Sequence, residues 1–125
     1  NLYENLKINN FSVMPGSETK LLKGLDLGCS GIITATTNVT CALAREVYDN
    51  FINNSPQHIN KKLCDVRSAF EKYNLISGLH SLMSEKNKIF KNVLPPLKLL
   101  SENDKKELIA NLKKLDFDIE TLKVA

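Results

Sequence analysis

Residues 11–38 read FSVMPGSETKLLKGLDLGCSGIITATTN, and the interpretation of this stretch decides the fold. Phe11 to Met14 is a short apolar run that Pro15-Gly16-Ser17 breaks. Leu21, Leu22 and Leu25 follow at helical spacing, and Leu27-Gly28 closes that pattern. Gly31 then opens a second run, Ile32-Ile33-Thr34-Ala35-Thr36-Thr37, rich in β-branched residues that suit a pleated strand. Two short runs with little charge fit strands buried on both faces of a parallel sheet. A strand, a helix of about ten residues and a second strand make a right-handed βαβ unit. The expected class is therefore α/β. In such folds function sits where the strands end, which places Gly16-Ser17-Glu18 and Thr36-Thr37-Asn38 at one rim.

Outward from this block, Asn1 to Asn9 carries Leu2, Leu6 and Ile8 at helical spacing and reads as the tail of a helix. On the other side, Thr40 is expected to N-cap a helix bearing the stripe Leu43, Val47, Tyr48, Phe51 and Ile52. Asn53-Asn54-Ser55-Pro56 ends it, with Ser55 as the next N-cap and Pro56 at the first helical position. A third helix runs from Pro56 to about Tyr73 with Ile59, Leu63, Val66 and Phe70 as its buried row. Leu75 to Ser84 is a shorter apolar helix. Residues 87–100 are expected to be irregular around Pro95-Pro96. Ser101-Glu102-Asn103-Asp104 resembles a capping box before the stripe Leu108, Ile109, Leu112 and Leu115. Asp118 to Lys123 adds a last turn.

Two parallel strands cannot stand alone, because both edges are open and both faces need cover. The first forty residues thus read as the closing part of a larger sheet, and the chain as a piece of a longer protein. At 125 residues it is long enough for one hydrophobic core. The 17 basic and 14 acidic residues are interspersed, giving a net charge of +3. Lysines gather at Lys61-Lys62 and from Lys86 to Lys98 without interleaved aromatic stacking residues, so solvated helix faces are favoured over nucleic-acid binding. Cys29, Cys41 and Cys64 are odd in number and widely spaced, which suits free thiols rather than disulfides or zinc. Cys41 and Cys64, on helices, are expected to pack as small hydrophobes. No apolar run approaches the length of a membrane span. The expectation is a soluble, cytoplasmic protein with no membrane or nucleic-acid partner.

Chemistry is sparse. Gly16-Ser17-Glu18 precedes a helix, whose free N–H groups would favour an anionic group such as a substrate carboxylate. The plainer reading is that Gly16 and Ser17 make the turn and Glu18 favours the helix N-terminus. Thr34, Thr36 and Thr37 can line a pocket or simply fill a strand. His58 reads as exposed and His80 as a satisfied packing residue, while Lys20 and Lys23 look solvated. No Ser/His/Asp set, phosphate loop or metal cluster is evident, and no cofactor or metal is expected.

VMPGSETKLLKGLDLGCSGIITATTNV resembles the seventh and eighth strands of the dihydrodipicolinate synthase and N-acetylneuraminate lyase superfamily. The shared pattern is a strand ending in Gly-(Ser/Asp)-(Glu/Asp), an apolar helix, a glycine turn, then G-[IV]-[IV]-S/T-x-T-x-N-V. The resemblance implies the C-terminal part of a (β/α)8 barrel in residues 1–54: the end of helix six, strand seven, helix seven, strand eight and helix eight. Residues 55–125, with Leu94-Pro95-Pro96-Leu97, resemble the family's C-terminal helical extension. It implies a Schiff-base aldolase or lyase of pyruvate and related 2-keto acids, a homo-oligomer, and the rest of the barrel as partner. It also implies that the imine-forming lysine, in a motif like G-x-K-D-S-S-G, and the tyrosine proton shuttle lie upstream of Asn1. Tyr3, Tyr48 and Tyr73 do not match that tyrosine.

By the same resemblance Gly16 is the glycine whose backbone approaches substrate, and Ile33 lies beside the bound keto acid. Ser17 and Glu18 match positions that touch sugar hydroxyls in the sialic-acid branch. Ala35 replaces that branch's serine, so a shorter keto acid fits at least as well. Such a chain would be inert alone. A non-enzymatic helical interaction module derived from an aldolase is the alternative.

Overall fold

The computed structural model describes residues 11–118, and among them all regular structure is helical. A 3-10 turn at Glu18–Lys20 leads into α1 (Leu21–Asp26). The longer helices are α2 (Thr37–Ile52), α3 (Asn60–Glu71), α4 (Leu75–Met83) and α5 (Glu102–Lys114), with a second 3-10 turn at Lys88–Lys91. The expected α/β class, with strands seven and eight of a (β/α)8 barrel, is corrected: no strand occurs among the described residues. The helices expected at Asn1–Asn9 and beyond Asp118 lie outside them.

The physical reason is visible in the backbone. Segments 11–15 and 30–33 run together, joined by Ser30 N–H to the Val13 carbonyl at 3.0 Å and Ile33 N–H to the Pro15 carbonyl at 3.2 Å. Both bonds are donated by the later segment, and a strand ladder needs continuing exchange with a neighbour. Phe11, Met14 and Ile33, expected inside a sheet, are exposed. The second run also stops early, because Thr36 and Thr37 start α2. There the Thr37 N–H donates to Thr34 Oγ1 at 3.2 Å and the Thr37 hydroxyl to the Thr34 carbonyl at 2.6 Å. The N-cap position is Thr36, not Thr40, and its side chain makes no capping bond.

Three helices end in the same way. After α1, the Gly28 N–H bonds to the Leu25 carbonyl and the Cys29 N–H to the Gly24 carbonyl, with Gly28 at φ 89°. This is a Schellman ending, in which a left-handed residue lets the chain satisfy the last carbonyls. Asn54 (φ 51°) plays that part after α2, and Asp116 (φ 56°) after α5. The Asn54 turn explains why α3 starts at Asn60 rather than Pro56: residues 55–59 are spent leaving the first helix.

The stripes did form. On α3, Leu63, Val66 and Phe70 are fully buried. Val66 and Phe70 join Leu79, Leu82 and Met83 of α4 and Leu108 and Leu112 of α5 in the main core. A second cluster holds Leu21 and Leu25 of α1, Val47 of α2 and Leu63, flanked by Leu43, Tyr48 and Phe51. Helix α3 therefore packs on α2, α4, α5 and the turn at Glu18–Lys20. Ile52, by contrast, is exposed. The Ser101 cap is present: its hydroxyl accepts from the Asp104 N–H at 3.1 Å and donates to the Asp104 carboxylate at 2.7 Å. Replacing Ser101 with alanine is expected to cost about 1 kcal/mol, read as a lower urea midpoint at unchanged slope.

Candidate functional site

Gly16 and Ile33, seventeen positions apart, are neighbours. The Ile33 amide is bonded to the Pro15 carbonyl, and a Cβ added to Gly16 would lie 3.9 Å from the Ile33 carbonyl oxygen. Gly16 is exposed and the Ile33 side chain is 72% exposed, so both face outward. Ser17 is partly buried, and its hydroxyl sits 2.9 Å from that of Thr19. Ala35, in contrast, packs against the main core.

Glu18 turns the opposite way. It is 0% exposed, and four donors converge on its carboxylate. Oε1 accepts from the hydroxyls of Thr34 at 2.7 Å, Thr36 in a short contact and Thr40 at 3.1 Å. Oε2 accepts from Arg67 Nη1 at 3.2 Å. Three donors meet Oε1 and one meets Oε2, so both carboxylate oxygens are hydrogen-bonded. Arg67 is itself buried and shared: Nη1 also reaches Thr36 Oγ1 at 3.0 Å, while Nε donates to Glu71 at 2.8 Å. A charge this deep is tolerated because it is paired and hydrogen-bonded.

The structure thus brings Gly16, Ser17 and Ile33 to one outward-facing rim and uses Glu18 to fasten the rim from beneath. Arg67 escaped the sequence reading, and Thr40 was read only as a helix cap. The signal was available for Arg67, which follows Leu63 by four and precedes Phe70 by three on the buried side of a helix. A charge on such a stripe demands a buried partner.

Elsewhere the side chains are structural. His80 Nδ1 bonds the Phe90 carbonyl at 2.9 Å and its ring meets Phe90 edge-on. His58, Lys20 and Lys23 are exposed. The three cysteines are unpaired, and Cys41 is exposed rather than packed. Burial, helped by Asp65 and Glu18, pushes the Cys64 thiol above its usual range, which keeps it protonated and unreactive. No group of three His, Cys, Asp or Glu side chains fit to hold a metal occurs among the described residues. Nor is any helix there long and apolar enough to cross a membrane. A hollow of about 300 Å³ lined by Leu82, Ile109, Leu112 and Phe117 shares no residue with the Glu18 network.

Residues 2–115 match the model of the dihydrodipicolinate synthetase family. The chain belongs to that family. Solved dihydrodipicolinate synthases share its fold. The enzyme from Bacillus anthracis superposes with a TM-score of 0.78 at 17% identity, over 90% of this chain and 40% of that one. The Thermotoga maritima enzyme gives 0.68 at 21% identity, over 86% and 37%. A structure described as the first monomeric dihydrodipicolinate synthase variant gives 0.69 at 20% identity, over 86% and 37%. The chain spans at most two-fifths of the length of these dihydrodipicolinate synthases. No curated relative matches it by sequence.

Proposed function

We propose that this chain is the C-terminal part of a dihydrodipicolinate synthase-like aldolase or lyase acting on pyruvate or a related short 2-keto acid. The observation that carries the reading is the adjacency of Gly16 and Ile33 at an exposed rim in a member of this family. Gly16 lacks a side chain, so a ligand can approach the backbone there. Ile33 offers an apolar wall, and Ser17 adds a hydroxyl at the edge. The inward turn of Glu18 leaves the rim without a carboxylate of its own, which suits an anionic keto acid.

In this reading the imine-forming lysine belongs to polypeptide outside the 125 residues. Its amine would attack the 2-keto carbon with loss of water. The iminium would accept the electron pair released on C–C cleavage, or lose a proton to give the enamine that donates the pair on addition. Residues 1–54 carry the rim and residues 55–125 the helical extension that braces it. The enzyme would act as an oligomer in the cytoplasm, without a cofactor.

The test has two arms. Incubated with pyruvate and borohydride and then weighed, the chain is expected to show no covalent adduct; a stoichiometric adduct on one lysine would place the nucleophile inside it. Titrated with pyruvate, a 15N-labelled chain is expected to shift the Gly16 and Ile33 amides first. Shifts confined to the lysine-rich segment 86–98 would sink the rim assignment.

A further inference from the structure

The mechanism described above needs the rim but says nothing of what holds its two segments in register. Only two backbone bonds join 11–15 to 30–33, and one of them, Ile33 to Pro15, is at the rim itself. The side-chain network lies directly behind. Glu18, two residues after Gly16, is gripped by Thr34 and Thr36, which follow Ile33 by one and three positions. Arg67 then touches both sides at once: Nη1 meets Glu18 Oε2 and Thr36 Oγ1. It comes from α3, 49 residues from Glu18 in sequence.

We propose that Arg67 is a positioning residue for the rim, fixing segment 15–17 against segment 33–36 through Glu18 and Thr36, with Glu71 as its outer brace. The proposal rests on the rim reading above for its link to substrate, but not for its geometry. Glu71 is partly exposed and holds Nε, so the guanidinium spans from the solvent surface to a carboxylate with no exposure. Arginine suits this because its planar fork presents donors in several fixed directions; a lysine ammonium is a compact point charge and cannot span both carboxylates in the same way.

Hydrogen exchange in the full chain separates positioning from plain stability. Arg67→Lys keeps the buried charge, and Glu71→Gln alters only the surface brace, so the latter remains informative should the former not fold. In Arg67→Lys the Ile33 amide is expected to exchange about tenfold faster than in the unchanged protein, while the helical amides of Ala69, Phe70 and Leu112 keep their protection. Glu71→Gln is expected to move Ile33 in the same direction by about twofold to threefold. An Ile33 rate unchanged in both variants, or a parallel rise at all four amides, overturns the proposal. The pyruvate titration is run alongside. If the unchanged protein shows no shift at Gly16 and Ile33 yet Arg67→Lys frees Ile33 selectively, the substrate reading falls and the positioning role stands. If pyruvate does shift them, Arg67→Lys is expected to require about tenfold more pyruvate for the same shift.

Discussion

Arg67→Met is expected to lower stability by about 3–5 kcal/mol, because it strips the counter-charge from a carboxylate that has no access to water. The three threonine hydroxyls would remain, but neutral donors cannot replace a guanidinium as an electrostatic partner. Thr36 would also lose its Arg67 donor, and Glu71 its helical partner. The decisive comparison is with Glu18→Gln/Arg67→Met. Removing both charges leaves a neutral, partly hydrogen-bonded amide beside a methionine of suitable length. The double variant should recover much of the loss, so the two single effects will not add. Urea denaturation followed by far-ultraviolet circular dichroism measures all four proteins. Equal and additive losses would mean that the pair contributes no more than its separate packing.

Phe70→Ala is expected to cost a similar amount, about 3–5 kcal/mol, by a different route. The ring is fully buried where α3, α4 and α5 meet. It lies against the backbone of Gly78, where an added Cβ would come within 3.3 Å of Phe70 Cδ1 and 3.7 Å of Leu108 Cδ2. Truncation would open a cavity that three helices must collapse to fill, and each is held by other contacts. The same denaturation series, with the slope unchanged, would report this. A loss below about 1 kcal/mol would show that the helices slide together freely. Such freedom would weaken any account in which α3 holds Arg67 rigidly.

How far the fold could be read in the sequence depended on whether the signal was local. Helix stripes, the ending at Asn53-Asn54, the irregular run through Pro95-Pro96 and the Ser101 cap are set by residues within one or two turns. These features match the expectation, except that a 3-10 turn at Lys88–Lys91 interrupts the run expected to be irregular. The two strands do not. Val13, Ile32 and Ile33 have strand propensity, but a strand exists only through a partner, and propensity cannot supply one. Thr34, Thr36 and Thr37 were ambiguous in the same way. Their hydroxyls serve a helix start and a buried glutamate, neither visible to a rule that scores threonine as β-branched. At the rim, the resemblance named Gly16 and Ile33 as substrate positions and set Glu18 beside them, whereas the structure buries Glu18. The sequence showed Glu18 at a helix start but not the three hydroxyls and one guanidinium waiting beneath it.

The 49-residue separation of Glu18 and Arg67 also bears on how the chain comes off the ribosome. A nascent polypeptide extended no further than α2 has the acid without its base, and a buried acid without its base is unfavourable. Segments 15–17 and 33–36 thus have no reason to commit to their final arrangement until α3 has been synthesised. A segment made earlier settles later, and its shape is decided by a helix that did not yet exist when it emerged.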